Sequence, residues 1–179
     1  VGEHYHRLAS GRDARPVTPD SRAKSIGQEQ TFPVDVGELD ELRRVLLQQT
    51  EQVARRLRRA GLKARTVTLK LRLGDFTTLT RSATLEAPTD LTDELWRRAA
   101  ELLEAWARRQ RRPLRLIGVT ASQLSGPEGG QLPLFPDAAR ARRGRLDRTL
   151  DDIADRFGDR AVRRGSALPP GDAGGGADV

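Results

Sequence analysis

The sequence predicts an α+β fold: a four-stranded antiparallel sheet in the order β-α-β-β-α-β, with two helices on one face, then a flexible tail carrying a short helix. Three observations carry this. "RTVTLKLRL" alternates apolar and polar residues without a break, two segments before Gly126 repeat leucines at helical spacing, and "SGPEGG" then opens a flexible spacer.

In chain order, residues 1–10 read as the tail of a helix stopped at Gly11, and "GRDARPVTPDSR" reads as a linker. "KSIGQEQTF" alternates as a strand with Ile26 and Phe32 on one side. Leu39, Leu42, Leu46, Val53 and Leu57 then mark an amphipathic helix, with Gly61 placed to end it. In "RTVTLKLRL", Val67, Leu69, Leu71 and Leu73 face one way, and Thr66, Thr68, Lys70 and Arg72 the other. Gly74-Asp75 turns the chain into "TTLTRSATL", where Arg81 shares parity with Leu79, Ala83 and Leu85, so either a bulge lies nearby or the strand is in another register. Thr92 is expected to cap a second helix, with Asp93 and Glu94 in its first turn and Leu95, Ala99, Leu102, Leu103 and Trp106 as its stripe. "LRLIGVTASQL" reads as the last strand. The expected domains are a linker remnant over 1–22, the sheet domain over 23–125, a flexible segment over 126–137, a basic helical extension over 138–165 and a disordered tail over 166–179. The extension is expected to present Leu146, Leu150, Ile153 and Phe157 on one side.

Composition narrows the function. With 36% hydrophobic residues, the chain holds a core with a looser remainder. Its net charge of +7, carried almost wholly by arginine, points to a polyanion, with nucleic acid the leading candidate. The absence of cysteine fits a reducing cytoplasm, and no long apolar run or signal peptide is present, so no membrane partner is expected. There is no methionine, and a chain beginning "VGEHYHRLASG" is expected to be the C-terminal part of something longer.

The sheet face opposite the helices would carry Thr66, Thr68, Lys70, Arg72, Thr78, Thr80, Ser82, Thr120 and Ser122, hydroxyls and cations suited to phosphate oxygens. Base stacking in the manner of RNA-recognition modules is disfavoured, because the central strands contain no aromatic residue. The residues alone leave two readings open, a phosphate-binding face or a plain solvated one. Catalysis has little to work with. His4 and His6 lack partners, Asp93-Glu94 and Asp151-Asp152 are neighbours that point apart on helices, and no Gly-rich phosphate loop follows a strand.

"KSIGQEQTF", "RAGLKARTVTLKLRLGDFTTLTRSATL" and "RLIGVTASQL", in that order and spacing, resemble the little-finger domain of Y-family translesion DNA polymerases of the bacterial DNA polymerase IV type. The resemblance implies a domain that holds primer-template DNA by its backbone, with its sheet along the major groove. By position it implies contacts from Lys24, Ser25 and Gly27, from Thr80, Arg81 and Ser82, and from Arg115 and Thr120, with Leu116 standing where some relatives carry a second arginine. It places the polymerase reaction and its Mg ions in an upstream palm domain, so no cofactor and no catalytic residue is expected in this chain, which should be inactive alone. "QLPLF" resembles the bacterial sliding-clamp-binding pentapeptide, which makes Gln131, Leu132, Leu134 and Phe135 the expected clamp contacts, held extended by Pro133. The expected function is DNA binding and clamp tethering in translesion synthesis and DNA repair. The alternatives are a catalytically silent polymerase-like adaptor that recruits repair factors to the clamp and, from another class, a free-standing RNA-binding module.

Overall fold

The computed structural model describes residues 2–16, 23–110, 112–126, 137–159, 161–162 and 164–165. The chain runs α1 (Gly2–Ala9), β1 (Ser25–Val36), α2 (Leu39–Arg59), β2 (Lys63–Leu73), β3 (Thr78–Thr89), α3 (Thr92–Ala107), β4 (Leu114–Ser125) and α4 (Ala138–Phe157). The four strands form one antiparallel sheet in the order β1-β4-β2-β3. The predicted β-α-β-β-α-β arrangement is therefore the observed one.

Strict alternation in β2 sends Val67, Leu69, Leu71 and Leu73 to one face, where all four are buried. Both helices pack on that face, α2 over β1 and β4 and α3 over β2 and β3. Leu42, Leu46, Val53 and Leu57 from α2 and Leu95, Ala99, Leu103 and Trp106 from α3 complete the core. Helix α2 ends as its glycine demands: Gly61 takes a left-handed φ of 63°, and the N–H groups of Gly61 and Leu62 turn back to the carbonyls of Arg58 and Leu57.

Three expectations are corrected. First, β1 runs beyond Phe32 to Val36, with an irregularity between Thr31 and Val36 that accommodates Pro33.

Second, Thr92 is not the cap of α3. Leu91 holds the capping position and has no side-chain oxygen to offer; the Thr92 N–H instead donates to Asp147 Oδ2 of α4 at 2.9 Å.

Third, the apolar stripe of α4 is not one buried side: Leu150 and Ile153 are half-buried and Leu146 and Phe157 exposed, whereas Gly144 and Asp147 are buried. The helix is held on its acidic side, where Asp147 and Asp151 meet Arg58, and Asp155 meets Arg55 and Arg59. The physical reason is that the C-terminal half of α2 is rimmed by arginines, so its surface complements carboxylates rather than leucines.

The question about Arg81 is answered by register. Pairing of β2 with β3 runs unbroken from Arg72↔Thr78 to Thr66↔Thr84, and the irregularity lies beyond, towards Ala64↔Thr89. Arg81 opposes Leu69 on the helix-bearing side, but β3 is an edge strand, so its side chain reaches solvent.

Candidate nucleic-acid interface

The face opposite the helices follows from the registers. Four rows cross the sheet from β1 to β3: Ser25, Ser122, Thr66, Thr84; Gly27, Thr120, Thr68, Ser82; Glu29, Gly118, Lys70, Thr80; and Thr31, Leu116, Arg72, Thr78. Adjacent strands lie about 4.8 Å apart, so the hydroxyls form a shallow lattice with donors and acceptors at near-regular spacing. Neighbours brace one another: Thr68 and Ser82 share a hydrogen bond at 2.9 Å, and Arg72 Nε donates to Thr78 Oγ1 at 2.9 Å.

Two glycines keep this face low. A Cβ on Gly27 would fall 2.6 Å from Thr120 Oγ1, and one on Gly118 would fall 2.7 Å from Glu29 Cβ. The gap at Gly118 lets the flanking strands reach across β4, where Lys70 Nζ pairs with Glu29 Oε2 at 2.7 Å. Glu29 is the residue the sequence reading missed on this face; its parity with Ser25 and Gly27 was the available signal. It holds Lys70 in place and partly offsets its charge.

The expected contact residues divide by position. Ser25, Gly27, Lys70, Arg72, Thr80, Ser82 and Thr120 share the open face. Lys24 is exposed just ahead of β1. Arg81 stands on the outer edge with its Nη1 donating to the Thr80 carbonyl at 2.8 Å. Leu116 belongs to an open-face row yet is only 4% exposed, so it presents neither charge nor much surface.

Arg115 is set apart by a bulge. On one side of β4 the pairs are Arg72↔Leu116 then Leu73↔Leu114; on the other they are Thr31↔Leu116 then Val36↔Leu114. Against β2 Arg115 is the extra residue, and against β1 it faces the four-residue irregularity between Thr31 and Val36; its guanidinium carbon lies 4.7 Å from the centre of the Phe76 ring. Phe76 sits in the β2–β3 turn, which Asp75 organises. Asp75 accepts from Arg112 Nη2 at 2.8 Å and from the Thr77 N–H at 2.9 Å, and these bonds, Arg112 first, lower its pKa to about 2.

Gln131, Leu132, Leu134 and Phe135 lie outside the described residues. His4 and His6 are exposed on α1. Among the described residues no three His, Asp or Glu side chains gather into a set that could hold a metal ion. The Mg ions implied by the resemblance therefore have no ligand set among them. What this surface can do is position a phosphate backbone with hydroxyls, backbone groups and a few cations.

A family model described as the impB/mucB/samB family C-terminal domain matches residues 23–134. The chain belongs to this family. It is 43% identical over 163 residues to DNA polymerase IV of Desulfatibacillum aliphaticivorans, covering 90% of this chain and 41% of that protein. It is 40% identical over 173 residues to DNA polymerase IV of Pelotomaculum thermopropionicum, covering 95% and 42%. The chain thus spans about two fifths of the length of these relatives. Among solved structures, a post-insertion binary complex of Dbh DNA polymerase superposes with a TM-score of 0.51 at 18% identity, over 69% of this chain and 35% of that one, a likeness of fold. The resemblance to the little finger of Y-family polymerases, carried first by separated strand motifs, is borne out by the family match. No helix among the described residues is long and apolar enough to cross a membrane.

Proposed function

We propose that this chain is the DNA-holding and clamp-tethering part of a Y-family polymerase of the DNA polymerase IV type, acting in translesion synthesis and repair in the bacterial cytoplasm. The observation that carries the reading is the open face: ten Ser and Thr residues in register with Lys70 and Arg72, on a domain of this family. Such a face grips phosphates without reading bases, which suits a polymerase that must slide along any sequence. Lys24, Ser25, Gly27, Thr80, Arg81, Ser82, Arg115 and Thr120 are the contacts this reading adds from family position.

On the same reading, residues 23–125 form the DNA-holding unit, and 126–137 carry the tether "QLPLF", with Gln131 and the anchors Leu132, Leu134 and Phe135 in a groove of the sliding clamp. Tethering raises the local concentration of the domain at a primer end without adding any DNA contact. Residues 1–22 are the remnant of a thumb and linker, and 138–165 are a basic helical extension that braces the domain. Nucleotide transfer, with its Mg ions, belongs on this reading to an upstream palm domain.

The test is binding of the 179-residue chain to a primer-template duplex across a salt series, with and without purified sliding clamp, beside a Gln131→Ala/Phe135→Ala variant. The expected result is an affinity that falls steeply with salt, by roughly one logarithmic unit of slope per phosphate contact. The clamp complex should be lost in the variant while duplex affinity stays. A wild-type chain that ignores the clamp removes the tether; one that also ignores duplex removes the function.

A further inference from the structure

We propose that Phe76 is a positioning residue that holds the Arg115 guanidinium outward for a duplex phosphate. This rests on the duplex-binding reading above and adds a residue that neither family position nor the composition of the face picks out.

A phenylalanine in the β2–β3 turn has no obvious reason to be there. It is 64% exposed, it adopts a φ of 64°, which a side chain of this size disfavours, and it buries nothing in the core. The turn is not loose. The Phe76 N–H donates to the Leu73 carbonyl and the Leu73 N–H to the Thr77 carbonyl, each at 3.0 Å, and Asp75 ties the same loop to Thr77 and Arg112. A rigid loop therefore keeps an apolar ring in water at one end of the open face.

What the ring touches is Arg115. In an unbroken strand, Arg115 would share parity with Ile117 and Val119 and point at the helices; its place as the extra residue against β2, beside the irregular stretch of β1, takes it out of that direction. Its guanidinium then lies over the ring at 4.7 Å. Stacking uses the face of the guanidinium and leaves the N–H donors around its edge free, and among the described residues none of them has a hydrogen-bond or ion-pair partner. The other cations around it are engaged: Lys70 by Glu29, Arg72 by Thr78, Arg112 by Asp75. Arg115 is thus a pre-aimed planar fork whose flexibility has been removed by an aromatic wall rather than by a competing carboxylate. That leaves its full charge for a phosphate, which a planar fork can take with two parallel bonds.

The test uses the full chain and a labelled primer-template duplex, with a mutant cycle of Phe76→Leu, Arg115→Ala and the double variant, alongside Phe76→Tyr and Arg115→Lys. Urea unfolding midpoints confirm folding, and the NMR shift of the Arg115 Nε–H reports the ring above it. Arg115→Ala should weaken binding about tenfold and lower the salt slope by about one. Phe76→Leu should weaken binding roughly threefold, about the loss expected when a cation–π restraint is removed, and should abolish the ring-shifted Nε–H signal. The double variant should be no weaker than Arg115→Ala, Phe76→Tyr should behave as wild type, and Arg115→Lys should not restore binding. Wild-type binding with Phe76→Leu unaffected, or losses that multiply in the double variant, overturns the positioning role alone. A wild-type chain that does not bind duplex overturns the underlying function as well.

Discussion

Gly118 shows how one missing side chain shapes the candidate interface. Its place in the third row lets Glu29 and Lys70 meet above β4, and the obstacle to any Cβ is the Cβ and backbone of Glu29, atoms that cannot swing aside. Gly118→Val should therefore destabilise the domain by about 1–3 kcal/mol, as an overpacked site does, which urea unfolding would measure. Gly27 is the milder case, because the first atom in the way is the rotatable Thr120 hydroxyl. Both glycines stand inside strand patterns, where a glycine signals close approach, so their presence was legible in the sequence. What crosses above them was not, since Glu29 and Lys70 are forty-one positions apart and meet only through β4.

Among the elements, α4 departs furthest from its sequence pattern. Asp147 is 3% exposed and accepts from the Thr92 N–H, from Arg58 at 3.4 Å and from Arg164 at 3.0 Å, so it caps α3 and anchors α4 with one carboxylate. Arg58 in turn donates to Asp151, to the Asp90 carbonyl and to the Thr92 hydroxyl; burial opposes its charge, but these acids hold its pKa above the ordinary value. Asp147→Ala should cost about 1–3 kcal/mol, because it strips a helix cap and leaves buried donors unpaired. Phe157→Ala should stay within about 0.5 kcal/mol, as exposed positions do. Paired urea titrations of the two variants test the claim, and equal losses would remove Asp147 as the anchor of α4. The leucine period of α4 was readable, but a period shows only that a helix has two sides. Which side docks depends on the arginines of α2, and those could not be matched to α4 without the fold.

At the scale of the molecule, the sheet has a covered face, a polar face and two edges. Both edge strands carry a proline within or beside a ladder irregularity, Pro33 in β1 and Pro88 in β3, which discourages pairing with another chain and leaves the polar face as the surface on offer. Glu29 is the one acid in the four rows of that face, and Lys70 pairs with it. Thr120→Glu, placed in the second row beside Thr68, should lower duplex affinity at least about tenfold while leaving the unfolding midpoint near wild type, since it adds repulsion against phosphates without touching the core. Fluorescence anisotropy with the same duplex measures it; unchanged affinity would move the interface off this face.

The sequence by itself determined the element order, the bounds of the central strands within a few residues and the two faces of the sheet. Side-chain alternation and helical spacing are local, and burial of one face of each element leaves little choice about which way it turns. The strand motifs also sufficed to indicate the family. Only the tertiary structure decided the rest: the order β1-β4-β2-β3, the bulge at Arg115 against β2, the stacking of that arginine on Phe76, the Glu29–Lys70 pair and the cap lent to α3 by Asp147. Each of these joins residues tens of positions apart, and their meeting is set by the packing of whole elements rather than by any period within one.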